Sequence, residues 1–450
     1  MLKKIGFRTI IVVAALLGTA SAQVLRAQET LSDASFSPYS LYGYGDIIRP
    51  GTAYSLSMGG IGIGDRNIRY INLSNPAALT AREFKSFMMD FALENRNTIY
   101  EGNAATSLSP TATGILRSAS NTTVMHHIVA TMPIASRGAF KVGVMPYSNV
   151  AYNFRAEETS GDLISEMGDI QYYQTGSGGL YQAFVGAAAT LWDRLSLGAE
   201  LNYYFGKIER YSGAYFTTKS SYRTIETGWR YNVSCFGGKL GLQYAQPVGN
   251  ASAIIVGATY TLPMEMRGNE TRYAYGSTTS VTDTVVNDRH KMSGWNVPGE
   301  WGAGITYHYS DRLTVGFDYT RQDWRGRTFE ATHGVDFQPG LAQGFRAGFE
   351  ITPNRYDVRS GFGHYLRRLS YRAGAYRENS YVTLNGHPVT STGVTLGFGI
   401  PVYRYYNSIN VGVDFGQRGT LESNLIRERY FLFTVSFNLH DIWFIKPMYN

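Results

Sequence analysis

Apolar and polar residues alternate along most of this chain, and the alternation is clearest near its C-terminal end. From Phe431 to Leu439 every odd-numbered residue is apolar, whereas Leu432 is the one apolar residue among the even-numbered ones. A period of two predicts a β-strand, because successive side chains point to opposite sides of a sheet. A half-buried soluble sheet would show the same pattern. The alternation recurs along the whole chain and follows an export signal. Together these features predict an all-β fold, a transmembrane up-and-down antiparallel β-barrel. The odd-numbered residues from 431 to 439 are then expected to face lipid.

The same alternation predicts about fourteen strands. They lie at residues 86–100, 124–134, 138–154, 180–192, 195–207, 229–245, 253–266, 300–309, 313–324, 343–352, 368–377, 393–402, 409–416 and 429–439. Glu200 and Asp318 lie on the polar faces of two of the clearest strands. An ionised carboxylate facing lipid is costly, so we expect this face to line the lumen.

The predicted connections alternate between short and long. Tight turns are expected at Asp193-Arg194 and Asp311-Arg312, and long polar loops at residues 101–123, 155–179, 208–228, 267–299, 325–342 and 378–392. Short periplasmic turns and long extracellular loops are typical of outer-membrane barrels, and an even strand count places both termini in the periplasm. The connection 353–367 is long where a short turn is expected, so the count could miss a hairpin.

The N-terminus carries an export signal. Lys3, Lys4 and Arg8 precede a short apolar run, and small residues follow at 20–22, which predicts a signal peptide over residues 1–22; cleavage after Ala27 is also compatible. The apolar run is shorter than the roughly 20 residues that span a bilayer as a helix. Together with the barrel pattern, this predicts the outer membrane of a Gram-negative bacterium.

Residues 23–85 do not alternate, and we expect them to form a hatch, or plug, inside a barrel of residues 86–440, with 441–450 as a periplasmic tail. The segment is rich in glycine, at Gly59, Gly60, Gly62 and Gly64 among others. Glycine permits close backbone packing and unusual dihedral angles. A disordered periplasmic tail is the alternative, but the isoleucines of this segment supply apolar surface that a plug would bury.

Composition agrees with a barrel and excludes other classes. The chain has 50 glycines, 34 tyrosines and 23 phenylalanines, and aromatic residues form the interface girdles of barrels. The formal charge of +7 becomes +4 once the three basic residues of the signal peptide are removed, which is too small and dispersed to predict nucleic-acid binding. Cys235 is the only cysteine, so no internal disulfide can form.

Asn75-Pro76-Ala77 follows the glycine-rich stretch, and with it the sequence resembles the FadL family of outer-membrane transporters for hydrophobic compounds. The C-terminal part, from residue 416 to residue 446, resembles the divergent branch of that family found in Bacteroidetes-type bacteria. The resemblance implies a fourteen-stranded barrel closed by an N-terminal hatch, with Asn75, Pro76, Ala77 and the four glycines in gating. It transfers no lumenal ligand-binding residue.

Pro146, Tyr147 and Ser148 interrupt the predicted third strand. Proline cannot donate to a β-ladder, so it predicts a kink or bulge. The FadL resemblance implies that a kink in this strand opens a lateral portal from lumen to membrane, a route that suits an apolar cargo. An ordinary bulge, or the end of the strand, is the other interpretation.

No catalytic, cofactor or metal site is predicted. His126 and His127 are neighbours, so on a regular strand they would face opposite sides and could not share a metal. His308, with Thr306 nearby, is the best candidate for a catalytic pair, and a solvated lumenal histidine explains it as well. The glycines at 59–64 lack dinucleotide-binding spacing.

Three functional hypotheses remain. The first is a passive outer-membrane channel for hydrophobic, fatty-acid-like molecules, with hatch gating and lateral exit. The second is a structural or adaptor barrel in an outer-membrane protein secretion or assembly machine, and the third is a general porin, which a plug would obstruct. The expected partners are a hydrophobic ligand or lipid, outer-membrane lipids and, for the second hypothesis, other outer-membrane proteins. The sequence leaves the ligand and the oligomeric state open.

Overall fold

Fourteen antiparallel strands form a closed barrel. The structure, a computed structural model, describes residues 36–82, 86–103, 114–135, 137–158, 160–216, 222–277, 282–329, 336–402 and 407–442. The barrel strands are β1 (Ser86–Asn103), β2 (Ile115–Ala135), β3 (Gly138–Asn149), β4 (Ile170–Leu191), β5 (Leu195–Phe216), β6 (Thr224–Val248), β7 (Ser252–Thr261), β8 (Glu300–Tyr309), β9 (Leu313–Asp323), β10 (Leu341–Ile351), β11 (Ser370–Leu384), β12 (His387–Pro401), β13 (Ser408–Arg418) and β14 (Arg427–Ile442). The first strand pairs with the last, from Ser86↔Ile442 to Glu101↔Arg427. The predicted fold class and strand number are confirmed.

The outer surface carries an apolar band. In β14, Phe431, Phe433, Phe437 and Leu439 are exposed, while the intervening Thr434, Ser436 and Asn438 are buried. Glu200 and Asp318 are also buried and face inward, as the alternation predicts. An apolar exterior around a polar interior is the arrangement of a barrel whose solvent is the bilayer.

Several strands are longer than the alternation predicts. β4, β5 and β6 continue into regions expected to be loops, and the expected loop 267–299 contains a hairpin of Gly268–Ser277 and Thr282–Lys291 that pairs with the first half of β6. The predictions of loops at 155–179, 208–228 and 267–299 are therefore wrong over most of their length, and so is the loop at 378–392, where only residues 385 and 386 connect β11 and β12. These parts of the strands extend beyond the apolar band, where the outer face no longer meets hydrocarbon and regular alternation is not imposed.

The two ends of the barrel differ. One end, the short-turn end, has tight connections such as Leu191 to Leu195 and Tyr309 to Leu313. The connection between β10 and β11 at this end is long because it contains a helix, Phe362–Arg368, and no hairpin. The remaining elements are the short strands Asp46–Ile47, Tyr152–Glu157, Met264–Glu265, Asn296–Val297 and Phe337–Pro339, the helices Ala53–Leu56 and Gly161–Met167, and the 3-10 turns Pro38–Leu41, Pro76–Thr80 and Glu422–Asn424.

Residues 36–82, called here the lumenal segment, pack against inward-facing residues on several sides of the barrel. Asp46 pairs with Asn149 of β3, the Pro76–Thr80 turn contacts β4, β5 and β6, and the Ala53–Leu56 helix contacts β12, β13 and β14. The signal peptide, both cleavage sites and the tail beyond residue 442 lie outside the described residues. The predicted domain boundaries therefore stay a prediction.

An aromatic core fills the long-loop half of the interior. Tyr44 of the lumenal segment is fully buried and its ring lies 5.0 Å from Trp295 and 5.6 Å from Trp324. Trp324 stacks on Tyr381 at 4.7 Å, and the Tyr381 hydroxyl donates to the Gly45 carbonyl. The beginning of the lumenal segment is thus held by apolar burial as well as by hydrogen bonds. None of the helices among the described residues has the length and hydropathy needed to cross a membrane.

Candidate functional site

The glycine-rich stretch of the lumenal segment touches the barrel wall backbone to backbone. Gly59 and Gly60 have φ angles of +73° and +85°, a region that favours glycine. A Cβ atom added to Gly59 would lie 2.7 Å from the Ala347 carbonyl oxygen. On the wall side, a Cβ atom on Gly348 would lie 2.2 Å from the Met58 carbonyl oxygen. Both surfaces therefore need glycine for this contact.

One buried carboxylate fixes the next turn of the segment. Oδ2 of Asp318 on β9 accepts hydrogen bonds from the backbone amides of Gly62 at 2.6 Å and Ile63 at 2.7 Å. Gly64 lies against the β8 backbone, where a Cβ atom would be 3.0 Å from Gly304. Two backbone donors that the lumen would otherwise leave unsatisfied are paired in this way.

Asn75 joins the segment to β6, another part of the wall. Its side chain is fully buried, its Oδ1 accepts from the Ala77 amide at 3.0 Å, and its Nδ2 donates to the carbonyls of Ile63 at 2.8 Å and Leu242 at 3.1 Å. Pro76 begins the 3-10 turn that this cap stabilises. The predicted gating residues thus make separate contacts with the wall: Gly59 and Gly60 lie against β10 and β11, and Asn75 lies against β6.

Ion pairs that the sequence did not reveal add to this attachment. Arg49 lies 3.2 Å from Glu378 of β11, and Arg346 of β10 lies 2.6 Å from the same carboxylate. Asp46 lies 2.7 Å from Arg418 of β13. The partners are more than three hundred residues apart in the chain or on separate strands, so no local pattern could indicate them.

The wall is incomplete between β2 and β3. Their ladder runs from Ala135↔Gly138 only as far as Ile128↔Val144, although both strands continue. Beyond Val144, β3 pairs with β4 through a bulge between Pro146 and Ser148. The predicted break at Pro146 is therefore present as a local irregularity of β3.

The lumenal segment takes the pairing position that β2 leaves. Asp46 and Ile47 pair with Asn149 and Ser148, and the Ile48 amide donates to the Tyr147 carbonyl at 2.9 Å. The opening between β2 and β3 is thus bordered on its inner side by residues 46–48 of the segment.

A cavity of about 910 Å³ adjoins this opening. Its lining includes Met125 and Pro146 at the opening. Deeper in the lumen it is lined by the ion-paired Arg49, Glu378 and Arg418. The cavity therefore has an apolar side near the wall and a charged side inside the barrel.

The prediction for the two neighbouring histidines is wrong. The β1–β2 ladder shifts register between Ala92 and Leu93, so His127 pairs with Ala92 and Met125 with Leu93. His126 is the extra residue of this β-bulge, and both rings point inward and are buried. Their Nδ1 atoms are 3.0 Å apart, and His127 Nε2 lies 2.7 Å from Asp90. A bulge cancels the alternation on which the prediction depended.

The predicted partner of His308 is also different. Thr306 is fully buried, and the hydroxyl within hydrogen-bond distance of His308 Nδ1 is that of Thr314, at 2.9 Å. His308 Nε2 lies 3.3 Å from Asp65 of the lumenal segment. This arrangement links the segment to the wall near the short-turn end.

Solved structures with the same fold are transport channels at low sequence identity. The toluene transporter TodX of Pseudomonas putida is 14% identical, with 88% of this chain and 100% of that chain covered and a TM-score of 0.55. The toluene transporter TbuX of Ralstonia pickettii is 14% identical, covering 87% and 98%, with a TM-score of 0.53. A FadL homologue of Pseudomonas aeruginosa is 10% identical, covering 88% and 99%, with a TM-score of 0.54. The resemblance to the FadL family is confirmed at the level of the fold.

A search of curated proteins finds no match to this chain. The BamG family model matches residues 1–450, the whole of the chain. This chain therefore belongs to the BamG family.

Proposed function

We propose that this protein is a passive channel of the outer membrane for hydrophobic small molecules, gated by the lumenal segment and open sideways between β2 and β3. The observation that carries the proposal is the early end of the β2–β3 ladder beside the 910 Å³ cavity. In a closed barrel every backbone N–H and C=O group within the bilayer is hydrogen-bonded between strands. An interrupted ladder gives up some of these hydrogen bonds, which favours a functional reason for the gap. An apolar cargo favours an exit into hydrocarbon over one into water.

The height of the opening supports a lateral route. On β2 the ladder ends at Ile128, whose apolar side chain is exposed on the outside of the barrel. Val142 of β3, two residues before the end of the ladder, is exposed as well. The opening therefore begins at a level where the outside of the barrel faces hydrocarbon.

The proposed gate is the edge of β3, which pairs with β2 along one part and with residues 46–48 of the lumenal segment along another. Residues 46–48 can pair with β3 only while the segment stays in place, and Asn75 and Asp318 hold the segment there. A ligand in the cavity would change this balance only by binding two positions of the segment unequally. Asn75 is the proposed latch, because the hydrogen bonds of its side-chain amide can break and re-form together.

The test of this route is the Pro146→Val substitution. Valine restores an N–H at residue 146 and favours a continuous strand, so we expect uptake of a hydrophobic probe by cells to fall severalfold while surface levels stay normal. Pro133→Val is the matched control, because Pro133 lies in the paired part of β2 near the short-turn end. Unchanged uptake in the Pro146 variant would contradict the lateral route.

The adaptor hypothesis is the second candidate, and the charged side of the cavity favours it. Arg49, Arg346 and Glu378 form a half-buried, ion-paired cluster where a conduit for hydrocarbons would be apolar. The aromatic core around Tyr44 also closes the long-loop half of the lumen. If deletion of the protein impairs secretion or outer-membrane assembly while probe uptake is unaffected, the adaptor function is favoured over transport.

A further inference from the structure

The long connection between β10 and β11 exposes apolar and basic side chains together. This rim loop, residues 353–369, lies at the short-turn end. Val358 and Phe362 are 80% and 79% exposed, which places them among the most exposed large apolar residues described. Phe362 and Leu366 are four residues apart in the Phe362–Arg368 helix and share a face.

The first half of the rim loop is fixed to the barrel. Arg355 Nη2 donates to Thr352 at 2.9 Å and to Ser370 at 3.2 Å, and it lies 3.4 Å from Glu350. The Tyr356 hydroxyl donates to Asp311 at 2.6 Å. The exposed second half is therefore held in a defined place and is not a free tail.

The rim loop carries positive charge. Four arginines and one aspartate give residues 353–369 a formal charge of +3. Asp357 is paired with Arg359 at 2.9 Å, and hydrogen bonds from Arg359 and then His364 hold the pKa of the Asp357 carboxyl well below its usual range. Arg367 and Arg368 have no carboxylate partner among the residues that the structure describes.

The helix lies next to the apolar band. The Tyr371 hydroxyl donates to the Leu366 carbonyl at 3.1 Å. Tyr371 faces outward, because its neighbour Arg372 is buried against Glu350, and its ring contacts the exposed Phe398 at 5.7 Å. Tyr371 pairs with Ile351, which is exposed as well. The exposed apolar face of the helix is thus continuous with the surface that faces hydrocarbon.

We propose that the rim loop is a membrane-surface anchor, with Phe362, Leu366 and Val358 inserted among acyl chains and Arg367 and Arg368 bound to lipid phosphates. Short amphipathic segments with apolar and basic residues bind membrane interfaces through both contributions. Continuity with the apolar band and the unpaired arginines favour lipid over an acidic protein. The proposal is independent of what the channel carries.

The test uses a fluorescent label. In a Cys235→Ala background, Phe362→Cys would carry an environment-sensitive NBD group, and the protein would be reconstituted in vesicles of phosphatidylethanolamine and phosphatidylglycerol. Asp193→Cys is the reference position, because the Asp193 side chain is 75% exposed in another short turn. We expect lipids spin-labelled near the headgroup to quench the label at 362 at least about twofold more than the label at 193.

The arginines are tested in the same vesicles. Arg367→Gln with Arg368→Gln should reduce the quenching at 362, whereas Arg137→Gln, which removes an exposed arginine from a different short turn, should not. Heat-dependent gel mobility would show that each variant has a folded barrel. Equal quenching of both positions by aqueous iodide would overturn the anchor and indicate a surface for a protein partner. Insertion that persists without the two arginines would overturn the assignment of phosphate binding to them.

Discussion

At the scale of single residues, a few buried polar groups decide how the interior is arranged. His126 and His127 both face inward because of one bulge, and His127 Nε2 lies within hydrogen-bond distance of the buried Asp90 carboxyl, at 2.7 Å. Asp318 and Asn75 bind backbone groups of the lumenal segment. Buried polar groups are stable only when paired, so each of these residues fixes its neighbours in one arrangement.

A substitution at Asn75 separates its two roles. Asn75→Asp keeps the oxygen that accepts from Ala77 but replaces the donor to the Ile63 and Leu242 carbonyls by a second acceptor. We expect the stability of the lumenal segment to fall by roughly 1–3 kcal/mol, because the Leu242 carbonyl loses the Asn75 donor and the Ile63 carbonyl keeps only the donor from Gln243 Nε2. Hydrogen exchange in lipid vesicles would measure this as faster exchange at residues 59–77.

The matched control is Asn153→Asp, at an exposed position beyond β3. In this variant the rate of hydrogen exchange at residues 59–77 should equal the rate in the unsubstituted protein. Equal protection of residues 59–77 in the Asn75 variant would show that Asn75 is not a latch.

At the scale of elements, the sequence predicts the parts of the strands that cross the apolar band. The bounds of β8 are predicted without error, because every second residue from Trp301 to Tyr309 faces hydrocarbon. The Gly268–Ser277 and Thr282–Lys291 hairpin is missed, because both of its faces are outside the band and no alternation is imposed. The bulge at His126 and the ion pairs of Arg49 and Asp46 depend on register between distant strands, which periodicity does not contain. The glycines and Asn-Pro-Ala are visible in the sequence and their role in gating stays a prediction, but the sequence does not contain the wall residues that they contact.

The orientation of β14 can be tested by comparing two single substitutions to arginine at adjacent positions. Val435→Arg places a charge toward hydrocarbon and should lower the free energy of unfolding by about 2–4 kcal/mol if it lies near the midplane. Thr434→Arg should cost less, because Thr434 lines the cavity and pairs across the strands with Glu94. Ser436 is unsuitable for this comparison, since it is fully buried and its hydroxyl contacts Asp90. Urea titration in vesicles would give both values, and equal losses would contradict the assignment of faces.

At the scale of the whole molecule, the barrel and the lumenal segment have different sources of stability. The β1–β14 ladder closes the barrel without any residue of the segment. The segment is held by glycine contacts, half-buried ion pairs and the aromatic core around Tyr44. These attachments involve several parts of the wall, so the segment lies across the lumen next to the cavity beside the β2–β3 opening.

Deleting residues 36–80 tests whether this segment blocks the lumen. The barrel should still assemble, because its closing ladder is intact and the inward-facing partners left behind, such as Asp318 and Glu378, are polar and can be hydrated. With the lumen emptied, single-channel conductance in planar bilayers should rise severalfold, because the water-filled cross-section increases. Deletion of the hairpin 268–291 is the control: it removes a shorter stretch that lies beyond the apolar band, so conductance should stay near that of the complete protein. If both deletions leave conductance unchanged, the lumenal segment is not the barrier, and the closure of the channel would have to come from the wall and the long-loop half alone.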